Sequence, residues 1–356
     1  MIAAIPLKQQ KVGTVLGVLA VVLVMVMIVA LSIGQVTIPV KDIVMIMLYK
    51  AGLTAQEPDA VLETVLWSIR LPRIIMTVLI GAALAISGAA MQGLFRNPLV
   101  EPGLIGVSSG AALAVVAFVV FGIALIGNSV FGTSVMMPVA AFVGGFVATM
   151  LVMKIGQQLG KTNIAVLILG GVAINALAGA LMGLVIFYAD ENQLRMFTFW
   201  TLGDLGGATW QKVLITAPVL LLSSVWMLTY QFPLNAIAIG EAEAFHMGVD
   251  VERVKKSIVF FSALAVGVSV SLAGIIGFIG LVVPHLVRVI FRADNRLVLP
   301  ASLLGGPILL LLSDLLARTL VAPTELPIGV VTALIGAPFF IFLLIRANHR
   351  NEFNTR

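Results

Sequence analysis

Apolar and polar positions fall into long blocks along this chain. Uncharged stretches recur at 12–40, 74–95, 102–153, 162–189, 213–240, 257–287, 297–313 and 326–345. The hydrocarbon core of a bilayer takes about 20 helical residues, so several of these stretches have room for two crossings. The alternation of apolar and polar positions that marks a membrane barrel is absent. The pattern predicts an all-α, polytopic membrane protein of eight to ten helices, with ten preferred.

The expected helices lie at 12–33, 74–94, 104–126, 135–155, 163–187 and 213–230. A longer and a shorter helix share 257–287 and break near Gly274 and Gly277, and the last two fall at 299–317 and 328–345. Between the first two helices, 34–66 is a mixed polar loop with Pro39, Pro58 and room for a short surface helix. Gly127, Asn128, Ser129, Gly132, Thr133 and Ser134 punctuate the gap before the fourth. The stretch 188–211 carries Asp190, Glu191, Arg195, Trp200, Asp204 and Trp210 beside Gly203, Gly206 and Gly207. It is too polar to cross and reads as a broken surface element lining an entrance. A second polar interruption occupies 231–256.

The stretch 70–112 organises the rest. Arg70 and Arg73 flank Leu71 and Pro72 at its start. Gly81, Ala82, Ala83, Ala85, Ser87, Gly88, Ala89 and Ala90 then give the helix a face on which neighbouring backbones can approach closely. An arginine at the bilayer centre costs about 2.5–3.5 kcal/mol, so both guanidinium groups are expected at the water boundary. There they either anchor lipid headgroups or receive carboxylates of an acidic partner.

Composition agrees with a membrane class: 60% hydrophobic, 10% charged, mean hydropathy +1.14, against about 25% charged in soluble domains. Cysteine is absent, which excludes disulfides, thiolate metal sites and cysteine nucleophiles. The first apolar run follows Lys8 and Lys11 like a signal peptide, but it is too long and lacks a small-residue cleavage site, so it reads as a retained helix. The net charge of +5 comes from basic residues scattered over short loops, which fits membrane topology and not nucleic-acid binding. With ten helices and both termini in the cytoplasm, 14 of the 21 Lys and Arg residues lie inside, the bias expected of cytoplasmic loops.

Chemistry-bearing clusters are few. The run from Gly156 to Thr162 imitates a phosphate-binding loop, but only three residues separate Gly156 from Gly160, and the run joins two membrane helices. His246, His285 and His349 have no metal-site spacing. Asp314 is the clearest acid within an apolar span. So sparse a set of intramembrane acids argues against coupling to an ion gradient. No nucleophile, base or metal set emerges for an enzyme. The segment from Gly240 to Gly248 is a short helix-prone stretch with Glu241 and Glu243 early and Phe245 and Met247 late. So short a helix is marginal unless something packs on it, which leaves a capped loop helix or a knob for a partner's groove.

Several runs together resemble one family. They are Arg70-Leu-Pro-Arg73, Gly81-Ala-Ala-Leu-Ala-Ile-Ser-Gly88, Gln92 with Arg96-Asn-Pro-Leu99, Glu101-Pro-Gly103 and Gly106 to Gly110. Further along come Gly280-Leu-Val-Val-Pro-His285, Arg318, Glu325-Leu-Pro-Ile-Gly329 and Gly336-Ala-Pro-Phe339. From the second helix onward the chain resembles the FecCD-type permeases, membrane subunits of bacterial ABC importers for iron-siderophores, haem and vitamin B12.

The resemblance implies that 1–356 is a single transmembrane permease domain of the vitamin B12 permease-like, type II importer fold, with 231–256 as its cytoplasmic coupling segment. It implies an inner-membrane homodimer, two cytoplasmic ATPase subunits that carry ATP and Mg, and a substrate-binding protein on the outer face. No cofactor, metal or catalytic residue is expected on this chain. By the same resemblance, Arg70, Arg73 and Arg318 receive acidic residues of the binding protein, and Gly240, Glu241, Ala244, Phe245, Met247 and Gly248 seat in the ATPase. Met247 stands where leucine is usual.

The substrate pathway or gate is expected at Arg195, Met196, Phe199, Trp200 and Asp204. The stretch 194–207 looks most like the haem version, in which serine is common at the position of Asp204. Arg195 would attract haem propionates, while Met196, Phe197 and Phe199 would offer apolar surface to the porphyrin. Haem is therefore the expected cargo, ahead of an anionic ferric siderophore, with cobalamin behind. An ion-coupled secondary transporter working alone is the reading from outside the family.

Overall fold

The computed structural model describes residues 9–122, 130–158, 160–291 and 293–354. Lys8, Gly127, Asn128 and Ser129, named above, lie outside them, as do Arg292 and Arg356 among the basic residues counted as cytoplasmic. The chain begins with α1 (Gln9–Ser32) and a short helix α2 (Val40–Lys50), the surface helix for which the first loop had room. Helix α3 (Ala60–Thr64), capped by the Asp59 carboxylate, runs through a π turn (Val65–Arg70) into α4 (Leu71–Phe95). The helix therefore starts at 60 and not at 74 as expected. Pro72 has no N–H to give and its ring crowds the preceding turn, and the widened π turn absorbs that disruption.

A 3-10 turn (Pro102–Ile105) leads to α5 (Val107–Ala117) and a second π turn (Phe118–Gly122). Helix α6 (Val130–Gly156) and helix α7 (Ile164–Phe187) are joined by a two-stranded hairpin, β1 (Gln157–Gln158) with β2 (Lys161–Thr162). The run that imitates a phosphate loop is this hairpin. Asn163 caps α7 by accepting from Ala165 and Val166 N–H at 3.0 and 3.3 Å.

Helix α8 (Glu191–Leu202) opens with a capping box between Asp190 and Gln193. Next come α9 (Trp210–Leu228), α10 (Gln231–Ile239), α11 (Glu241–His246) and α12 (Val251–Ala273). The chain ends with α13 (Ile279–Phe291), α14 (Asn295–Thr319) and α15 (Ile328–Asn354).

Among the described residues, seven helices are long and apolar enough to cross a membrane: Val12–Ser32, Ala60–Phe95, Ser134–Gly156, Ile164–Phe187, Trp210–Leu228, Val251–Ala273 and Asn295–Thr319. Val107–Gly122, Ile279–Phe291 and Ile328–Phe342 are apolar but shorter. The expected break between α12 and α13 is present. Gly274 ends α12 with φ +69°, and Phe278 before α13 also has φ +69°. The carboxylate of Glu101, from the turn after α4, accepts from the Phe278 N–H at 3.2 Å. Burial pushes the Glu101 carboxyl above the usual carboxylate range, and this N–H pulls it partly back.

Helix α4 is the most deeply buried of the seven spans. Its small residues bring neighbouring backbones close: a methyl group on Gly81 would sit 2.8 Å from the Pro307 backbone, and one on Gly88 would overlap the Gly280 carbonyl. Around it the main core runs through α5, α9, α12, α13 and α14. A satellite core of Leu31, Ile38, Ile46, Leu66, Ile74 and Leu311 holds α1 and α2 against it. Overpacking a close contact costs about 1–3 kcal/mol, so Gly88→Val is expected to destabilise by that order and to lower the thermal unfolding midpoint in detergent. An unchanged midpoint would contradict the close α4–α13 approach.

Candidate functional site

At one end of α4, Arg70, Arg73 and Arg318 lie inside the protein: they are 5%, 8% and 7% exposed. A buried cation must be paired or fully hydrogen-bonded, and each has partners of its own. Arg73 donates from Nε and Nη2 to Asp314 Oδ1 at 3.0 and 2.8 Å. The same guanidinium meets Glu325 with Nη1 at 3.2 Å and Nη2 at 2.8 Å.

Arg318 forms an ion pair from Nε to Asp314 Oδ2 at 3.0 Å and donates to the Ala30 carbonyl at 3.3 Å. Among the described residues Arg70 has no carboxylate partner and instead donates to the carbonyls of Leu31, Ser32 and Val36, at the end of α1 and just beyond it. Asp314 is fully buried, whereas the Glu325 side chain is 37% exposed, so the cluster opens outward at Glu325.

The stretch 203–209 passes beside this cluster, where a methyl group on Gly206 would sit 3.6 Å from Arg73 Nη1. Asp204 N–H donates to the Ala273 carbonyl at 2.9 Å, and Ile328 N–H donates to the Gly203 carbonyl at 3.2 Å. The loop is thus stitched to the end of α12 and the start of α15. The Asp204 carboxylate accepts from Gly206 N–H at 2.7 Å, and Lys212 Nζ donates to the Gly207 carbonyl at 2.7 Å. Trp210 donates from Nε1 to the Trp67 carbonyl at 2.8 Å, with the two rings 5.6 Å apart.

On α8, Arg195, Met196 and Phe199 are exposed and Trp200 is half-buried. Arg195 donates to Asn192 Oδ1 at 3.2 Å. Phe197 is a correction: it faces the core and presents no surface to a cargo. The expected pathway residues thus lie on one helix and the loop after it, but no direct contact joins Arg195 to Asp204.

At the other end of the bundle, Gly240 separates α10 from α11 and Asp250 caps α12. Ala244 is buried against the protein, while Phe245 and Met247 are 71% and 48% exposed. The short helix therefore projects two apolar side chains. A groove beside it is lined by Lys161, Glu241, Phe245, Val249 and Glu252.

Behind α10, Asn235 Oδ1 accepts from Asn295 Nδ2 at 2.9 Å, and Arg288 Nη2 donates both to Asn295 Oδ1 and to the Ala89 carbonyl at 3.1 Å. This chain of bonds links the segment to α13, α14 and α4. Sequence reasoning did not find it, because Asn235 and Asn295 are 60 residues apart and neither sits in a recognisable motif. Asp314 was visible only as an isolated intramembrane acid. Its spacing of four from Arg318 was the available signal, since residues so spaced face each other on a helix.

Helices packed around a small-residue centre, with charge admitted only where it is paired, make this a multi-pass membrane permease. The chain belongs to the FecCD transport family, whose profile matches residues 22–346, and as an ABC transporter permease it is a transport subunit and not an enzyme. It is 43% identical over 285 residues to the hemin transport system permease protein HmuU of Yersinia pestis, covering 80% of this chain and 84% of that protein. It is 42% identical over 288 residues to the vitamin B12 import system permease protein BtuC of Escherichia coli K12, covering 80% and 85%. A solved structure assigned to a metal-chelate type ABC transporter, in an inward-facing conformation, superposes with a TM-score of 0.80 at 32% identity. That match covers 94% of this chain and 99% of the other.

Removing one partner of a buried ion pair costs about 3–5 kcal/mol. Asp314→Ala, which leaves Arg73 and Arg318 without their shared acid, is expected to destabilise by that order. Thermal unfolding in detergent checks this, and Glu325→Ala, at the open side, should cost less.

Proposed function

We propose that this chain is the membrane-spanning subunit of an ATP-driven importer in the bacterial inner membrane, and that its cargo is an iron compound, haem first. The observation that carries the reading is the projecting helix α11. It offers Phe245 and Met247 to a partner, as an ATPase-coupled permease requires and a carrier working alone does not. In this reading Gly240 and Gly248 bound the knob, Ala244 seats it on the permease, and ATP with Mg binds to two separate cytoplasmic subunits. The chain itself needs no cofactor.

All ten apolar helices cross the membrane in this proposal, with both termini and α11 in the cytoplasm. A second copy completes the pathway. Support for it comes from α7, where Leu169, Val172, Leu177, Leu181 and Leu184 are exposed. Gly179 and Gly183 on the same helix have nothing within 4 Å of a Cβ position, the small-residue spacing at which helices approach each other.

The outer face takes a substrate-binding protein at Arg70, Arg73 and Arg318. Arg73 and Arg318 share the carboxylates of Asp314 and Glu325 while Arg70 is held by backbone carbonyls alone, and an acidic side chain of the binding protein would add a further acceptor at the opening beside Glu325. Haem is supported by the exposed Arg195 beside Met196 and Phe199, a cation next to apolar surface, and by the likeness to the hemin permease. Cobalamin is the second reading, favoured by the nearly equal identity to the vitamin B12 permeases. A ferric siderophore suits the same arginine.

Reconstituted in liposomes with its ATPase and binding protein, the complex is expected to take up haem only with ATP, and Arg195→Ala is expected to reduce that uptake several-fold. Uptake of cobalamin or a siderophore instead would keep the machine and change the cargo; uptake without ATP would overturn the reading. Docking through charge also predicts salt dependence, because screening weakens exposed pairs. The affinity of the binding protein for the detergent-solubilised permease should fall steadily with ionic strength, and a salt-independent affinity would remove the arginines from the docking surface.

A further inference from the structure

Lys255, in the second turn of α12, is only 3% exposed. An ammonium has three donors, and here all three are used. Nζ donates to Glu241 Oε2 at 2.8 Å, to Glu252 Oε1 at 3.2 Å and to the Thr162 carbonyl at 3.0 Å. The acceptors come from α11, from α12 and from the last residue of the hairpin. Glu252 closes the ring, since its Oε2 accepts from Thr162 N–H at 2.8 Å. Both backbone groups of Thr162 are therefore held by side chains of α12. Asn163, the next residue, caps α7, so the clasp ends directly on the first turn of that helix.

We propose that Lys255 is a positioning residue that makes α11, the start of α12 and the foot of α7 move as one body. This rests on the importer reading, in which α11 is driven by the ATPase. It adds the path by which that drive reaches α7, the span with the exposed, glycine-bearing face. The physical ground is the cost of leaving a buried ammonium unsatisfied. If α11 shifted without the hairpin, Lys255 would lose either Glu241 or Thr162, so the two are expected to shift together.

This chain has no cysteine, so an introduced cysteine is its single labelling site, and the complex is assembled with cysteine-free versions of the partner subunits. Ala242→Cys reports α11 and Ala165→Cys reports the foot of α7, and each yields one distance between the two copies. With Lys255 in place, ATP and Mg are expected to change both distances, measured by double electron–electron resonance. In Lys255→Met the Ala242 distance should still change while the change at Ala165 is lost. A retained change at Ala165 overturns the proposal. Glu241→Ala, at a partly exposed position, removes the α11 end of the clasp while Lys255 keeps Glu252 and the Thr162 carbonyl, and gives the same test should Lys255→Met fail to assemble. If neither distance responds to ATP before any clasp residue is altered, the importer reading fails, and not the role of Lys255 alone.

Discussion

A carboxylate taken out of water must be surrounded by donors, and Asp314 meets that demand by drawing two arginines from different helices onto itself. Much of this end of the fold follows from this requirement. Arg73 is fixed at the start of α4, Arg318 one turn beyond Asp314 on α14, and the end of α1 is gathered in because the remaining guanidinium donors of Arg318 and Arg70 need its carbonyls. Buried ion pairs contribute little net stability compared with apolar packing. What this one supplies is a single permitted arrangement of three helix ends.

The helical class and most of the span boundaries were legible because they depend on length and apolarity, which each stretch carries within itself. The close-approach face of α4 was legible for the same reason, since a run of glycine and alanine has no other use at that spacing. The extension of that helix back to Ala60 was not, because a π turn that relieves Pro72 leaves no mark in composition. The burial of Arg70 and Arg73 was also hidden. It depends on Leu31, Ser32 and Asp314, residues distant in the chain whose positions only the assembled fold determines. Phe197 was misjudged through its neighbours: adjacent residues on a helix point about 100° apart, so Met196 and Phe199 can be exposed while Phe197 is not.

The two ends of the bundle handle polar groups by opposite means. At the arginine end, charge is withdrawn into the protein and only Glu325 remains at the opening. At the end bearing α11, the charged clasp of Lys255 is withdrawn in the same way, but two apolar side chains are pushed outward. Exposed apolar groups on a short helix gain their stabilisation when a partner covers them. Paired charges gain theirs within the chain. The permease thus keeps these polar connections internal and leaves Phe245 and Met247 exposed.

The contact between Trp67 and Trp210 has a use of its own. The two rings lie 5.6 Å apart, one before α4 and one at the head of α9, joined by a single indole hydrogen bond. The chain has only four tryptophans, so this pair makes up half of its indole chromophores. Rings this close exchange excitation, and separating them would alter the polarisation of the emitted light. The protein therefore carries a built-in optical gauge of whether the stretch 203–209 stays seated beside the arginine cluster, readable without any label.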